Sequence, residues 1–87
     1  MDEFRLYVAG NSRRGQAAIQ SVSTVLESVR AGQYCLQIID VFLHPEAADA
    51  DKIIATPTLI RVSPEPTRRL MGDISNSPLI KTLLENG

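Results

Sequence analysis

Residues Ile39–Arg61 read IDVFLHPEAADADKIIATPTLIR, and the proline directly ahead of the apolar TLIR constrains the fold more than any other residue. Proline has no N–H to give to a ladder, so it belongs at a strand entrance or on a sheet edge. The segment therefore reads as the end of one strand, a short helix, and a second strand beginning just after Pro57. Pro45 suits a first helical turn, which sets the short helix at Glu46–Lys52. Ile53 and Ile54 are expected to pack inward, and Thr58–Val62 to form the strand.

The flanking sequence completes the order. Phe4–Ala9 is a strand in which Leu6 and Val8 share one face and Arg5 and Tyr7 the other. Asn11 or Ser12 caps a helix over Gln16–Arg30, where Ile19, Val22, Leu26 and Val29 recur at three- and four-residue spacing. Ala31-Gly32 ends it. Tyr34–Leu43 is apolar on both faces near its centre, which predicts a strand inside the sheet, covered on both sides and parallel to the first. Two prolines in Ser63–Thr67 make a turn, and Arg68–Met71 returns as a strand antiparallel to the third. Ser75 or Ser77 caps a last helix with Leu79, Ile80, Leu83 and Leu84 on its buried face. The expectation is one domain over residues 1–87, an α/β fold of order β-α-β-α-β-β-α with a mixed four-stranded sheet.

That order is thioredoxin-like. In such folds a cis-proline stands at the place of Pro57, beside a reactive cysteine between strand one and helix one. Here that loop is Gly10-Asn11-Ser12-Arg13-Arg14-Gly15 and carries no sulfur, so thiol–disulfide exchange cannot run there. Cys35 is the one cysteine of the chain. It excludes an intrachain disulfide and a paired-cysteine motif, and its apolar neighbours predict a buried residue. With one histidine, His44, no metal site is expected, and no cofactor motif is present. The glycines match neither a phosphate loop nor a dinucleotide fingerprint. Glu46, Asp49 and Asp51 read as the solvated face of the short helix. A net charge of −1 gives no basic excess for nucleic acid. No apolar run approaches the ~20 residues that span a bilayer. The acidic N-terminus is unlike a signal peptide, so the expected compartment is the cytoplasm. Surface recognition is the function class left, and an enzyme is not expected.

Four segments, LYVAGN (Leu6–Asn11), IDV (Ile39–Val41), DKIIATPTL (Asp51–Leu59) and RRLMGDISN (Arg68–Asn76), resemble the KaiB family of bacterial clock proteins in their order and gaps. The GDIS at Gly72–Ser75 sets the chain nearer to KaiB than to the alternative, the thioredoxin-fold sensory domain of a SasA-like histidine kinase. The resemblance implies a non-enzymatic protein that binds a KaiC-type ATPase hexamer and modulates clock or stress signalling. KaiA or a SasA-like kinase are further implied partners, and a dimer or tetramer is an allowed assembly. Carried over to this sequence, partner binding falls on Asp40, Val41, Glu46, Asp49, Asp51 and Lys52. The family also has a second topology, β-α-β-β-α-α-β, adopted by refolding the C-terminal half. The residues implied in that switch are Pro57, Pro64, Pro66, Gly72 and Asp73. Two departures fall in the same half. Ser63-Pro64-Glu65-Pro66-Thr67 replaces the family's proline triplet, and the chain ends at Gly87 without the family's longer acidic C-terminal segment. Both favour the thioredoxin-like form.

Overall fold

The computed structural model describes residues 1–75 and 77–85. Its elements are β1 (Asp2–Val8), α1 (Arg13–Arg30), β2 (Tyr34–Asp40), α2 (Pro45–Ala50), β3 (Thr58–Ser63), β4 (Arg68–Met71) and α3 (Ser77–Glu85). This is the expected β-α-β-α-β-β-α order rather than the family's second topology. The sheet runs β2-β1-β3-β4, with β1 and β2 parallel and the β1–β3 and β3–β4 pairs antiparallel.

One face of the sheet carries the main core. Phe4, Leu6 and Val8 of β1 meet Ala18, Val22, Val25 and Leu26 of α1 and Ile80, Leu83 and Leu84 of α3, with Leu59 and Ile74 between them. Helix α1 starts where Ser12 accepts a hydrogen bond from the Gly15 N–H at 3.0 Å. Gly15 is buried there because a Cβ would lie 3.2 Å from that of Val8 and closer still to the Ser12 hydroxyl. Asn11 instead accepts from Gln16. At the other end Ala31 takes the left-handed conformation and donates to Glu27, which closes the helix before Gly32.

The second face is covered only at one end. Tyr7, Ile39 and Ile60 form a small cluster with Val41, Ala47, Ala48, Ile53 and Val62 packed on it. Helix α2 has six residues and buries none of them, so it cannot reach the start of β2. That explains two corrections. Strand β2 is an edge strand, not an interior one, and Cys35 is exposed because nothing overlies its end of the second face. The apolar content of β2 serves Leu36 on the first face and Ile39 on the second.

Three further residues depart from the apolar pattern. Ile54 points outward and is 84% exposed, whereas Ile53 is half-buried. Val29 and Leu79 lie at the margins of their helices' buried stripes and are partly exposed. Ser75 does not cap α3; it donates to the Asp73 carboxylate. Ser77 is the first residue of the helix, and residue 76 lies outside the described residues.

Arg61 is the unusual core residue, 1% exposed on β3. Its guanidinium donates to the Leu83 carbonyl at 3.1 Å and to the Pro66 carbonyl at 2.9 Å. It thus satisfies a last-turn acceptor of α3 and ties the β3–β4 turn to that helix. The buried charge is compensated by these dipoles, the helix end being partially negative.

Candidate functional site

The β2–α2–β3 connection presents two different surfaces, and a knot of polar side chains fixes both. Asp40 ends β2. Its carboxylate accepts from the Gly10 N–H at 3.1 Å and the Phe42 N–H at 2.9 Å, while its carbonyl accepts from Leu43 and His44. This turns the chain sharply out of the sheet and joins it to the β1–α1 loop. Pro45 then opens α2 at its first positions, as its fixed φ allows.

Asp51 follows α2 and is held by two residues of β1. The Tyr7 hydroxyl donates to Oδ2 at 2.5 Å, and Arg5 Nη1 reaches Oδ2 at 3.0 Å and Oδ1 at 3.3 Å. From β4, Arg69 donates to the main-chain carbonyls of Asp51 and Lys52. Lys52 has a φ of 54°, the left-handed conformation that stops the helix. Burial pushes the Tyr7 hydroxyl up to about 12, and the adjacent carboxylate adds to this, against the opposing pull of Arg5 and Arg69. Burial alone would raise the Asp51 carboxyl. Hydrogen bonds from Tyr7 and Arg5, with the charges of Arg5 and Arg69, outweigh it and hold the group below its usual range.

Around this knot the surface is apolar and acidic. Phe42 is 73% exposed, Leu43 72% and Ile54 84%. They flank α2, whose Glu46 and Asp49 are also exposed. A shallow groove lined by Ala9, Val41, Ala48 and Ile53 runs between Phe42 and Ile54. Three large apolar side chains are thus left in water on one connection.

The six expected partner-binding residues are therefore brought to one end of the sheet but divide by role. Glu46, Asp49 and Lys52 are exposed, Val41 lines the groove, and the carboxylates of Asp40 and Asp51 brace the backbone. Phe42, Leu43 and Ile54 escape a reading of the sequence, since apolar residues in a strand-like run are assigned to the core. Arg69 is missed because its partners are main-chain carbonyls of another element, which leave no trace in side-chain pattern. Arg5 and Tyr7 were detectable only as the polar face of β1.

A second region gathers Pro57, Gly72 and Asp73 beside the start of α1, in a hollow also lined by Arg13, Arg14, Ala17, Ile74 and Ser75. The Thr56–Pro57 peptide is cis, as are those preceding Pro64 and Pro66 in the β3–β4 turn. Gly72 has a φ of 93°, and the Asp73 carboxyl is held low by the Ser75 hydroxyl and N–H. Cys35 pairs with Glu3, at the end of β1 remote from this hollow. Among the described residues no cluster of three or more His, Cys, Asp or Glu side chains comes together. No described helix is long and apolar enough to cross a membrane.

Comparison with known proteins places these features. Residues 5–86 match the KaiB domain. The chain is 47% identical over 72 residues to the circadian clock oscillator protein KaiB of Thermostichus vulcanus, covering 83% of this chain and 67% of that one. It is 46% identical over 72 residues to the protein of the same name from Prochlorococcus marinus, covering 83% and 60%. Among solved structures, the N-terminal domain of Synechococcus elongatus SasA superposes with a TM-score of 0.78 at 24% identity, over 99% of this chain and 87% of that one. Thioredoxin 1 from Thermosipho africanus gives a TM-score of 0.76 at 18% identity, over 94% and 90%. These two likenesses show the fold, which is thioredoxin-like.

Proposed function

Because the chain belongs to the KaiB family, we propose that it is a non-enzymatic binding protein of clock or stress signalling that docks on a KaiC-type ATPase hexamer. The observation that carries this reading is the exposed apolar trio Phe42, Leu43 and Ile54 around the acidic face of α2. Desolvating such a patch against a complementary surface supplies the association energy, and Glu46, Asp49 and Lys52 supply orientation at the rim. The residues assigned to contact are thus Val41, Glu46, Asp49 and Lys52 with the three apolar side chains. Asp40 and Asp51 act by holding the connection in place. The absence of sulfur from the β1–α1 loop supports a non-redox use of the fold.

KaiA or a SasA-like kinase would be further partners of the same protein, and the cytoplasm its compartment. The reading includes exchange with the family's second topology, with Gly72 and Asp73 as the control points and Pro57, Pro64 and Pro66 bounding the segment that refolds. Co-elution with a nucleotide-loaded KaiC-type ring tests the docking, and Glu46→Lys together with Asp49→Lys should weaken the complex. Backbone NMR of the free chain tests the exchange: a second set of shifts for residues 58–75, absent from β1 and α1, supports it, and a single set argues against it.

A further inference from the structure

We propose that Arg69, on β4, is a positioning residue that sets whether the α2 surface is available to a partner. The inference rests on the reading of α2 and its flanks as the docking surface. A helix of six residues has little stability of its own, and α2 buries none of its residues. At its start, the His44 side chain makes no capping hydrogen bond. Its start hangs on the Asp40 turn, and at its far end three side chains from the sheet converge. Arg5 and Tyr7 hold the Asp51 carboxylate. Tyr7 also donates to the Ala47 carbonyl within α2 at 3.1 Å, and Arg69 donates to the Asp51 and Lys52 carbonyls just past the helix. The Asp51 carbonyl is an orphan acceptor of the helix end and that of Lys52 follows it directly, and a guanidinium is the group best suited to take both.

The route of this contact matters. Strand β4 follows α2 by more than a dozen residues of sequence and is the outermost strand on its side of the sheet. Its register sets Arg69 opposite Ile60, whose side chain faces the α2 cluster, while Arg68 is opposite Arg61 on the other face. Only with β4 paired in that register does Arg69 arrive beneath the helix end. The availability of the α2 surface is thus coupled to the pairing of β4 with β3.

Residue-resolved hydrogen exchange on the intact chain tests this, comparing Arg69→Gln with the parent and with Arg68→Gln. The probes are the amides of Asp51, Lys52 and Ile53, bonded to Ala47, Asp49 and Ala48. The controls are those of Gln16 and Ala31 at the ends of α1. The expected result is exchange about tenfold faster at the three probes in R69Q, the scale of one lost hydrogen bond to a charged group. The controls and R68Q should be unchanged, and R69K, keeping the charge but one compact donor head, should lie between. Unchanged probes in R69Q, equal acceleration of probes and controls, or the same effect from R68Q would overturn the inference. Affinity for the KaiC-type ring measured on the same samples separates it from the docking reading. Faster probes with unaltered ring affinity mean that Arg69 positions α2 but α2 is not the contact, which overturns the coupling to a partner. Faster probes with weakened affinity support it.

Discussion

At the level of single residues, Asp51 holds the whole α2 side of the molecule through one carboxylate. It is bonded by a tyrosine and an arginine of β1. Asp51→Ala should cost about 2 kcal/mol, since it removes the carboxylate shared by Tyr7 and the charged Arg5 and leaves the Tyr7 hydroxyl only the Ala47 carbonyl; chemical denaturation measures this directly. The pH dependence follows from the direction of each shift. The folded Asp51 carboxyl lies below its unfolded value, so its contribution is complete above about pH 4 and is lost as pH falls through the folded value. Asp51→Asn should flatten that acid limb of the stability curve. Tyr7 behaves oppositely. Its hydroxyl is raised to about 12, so its contribution is complete below about pH 10 and disappears as pH rises through the folded value. Tyr7→Phe should remove that alkaline loss, followed by unfolding at fixed denaturant across the range. Arg61 is the counterpart on the main-core side. Arg61→Ala leaves the Leu83 and Pro66 carbonyls unpaired and opens a cavity in the core, a loss of about 3 kcal/mol readable as a lowered Tm.

Among the elements, the legible ones were those whose pattern is local. Helix α1 follows from its three- and four-residue spacing, and β4 from the turn chemistry ahead of it, with both its bounds as expected. Strand β2 was misplaced because apolar content on both faces fits an interior strand. Whether a strand is interior depends on what lies beside it, and that is a property of topology rather than of the strand. Cys35 departs from expectation for the same reason: α2 is too short to cover it, and the length of cover is set elsewhere in the chain, while Ile54, just past α2, points outward. The site was legible as a region, from Asp40 to Lys52, but not in its parts. Its exposed apolar side chains read as core, and its support from Arg69 goes to main-chain carbonyls of another part of the chain. Gly72, at the exit of β4, belongs to the same scale. It has open space around a notional Cβ but a φ of 93°, so Gly72→Ala should cost about 1 kcal/mol in this topology through backbone strain alone. Equilibrium unfolding of the two chains checks this, and an unchanged midpoint would mean that the segment leaves positive φ at no cost.

For the molecule as a whole, the two faces of the sheet are unequal. The face under α1 and α3 holds the large core, and the opposite face carries only a small cluster under a short, exposed helix. Of the large apolar residues left in water, Phe42, Leu43 and Ile54 flank that helix. The exposed apolar side chains beside α2 can thus be altered with little effect on the core, which makes the proposed docking testable. Cys35, exposed and remote from α2, offers a position for a fluorescent label. The decisive measurement is the anisotropy of the labelled chain titrated with a nucleotide-loaded KaiC-type ATPase ring, for the parent and for Ile54→Glu. The account predicts a saturable rise for the parent and little or none for the variant, at unchanged thermal stability. Equal rises for both chains, or no rise for the parent at micromolar ring concentrations after hours of incubation, would contradict it.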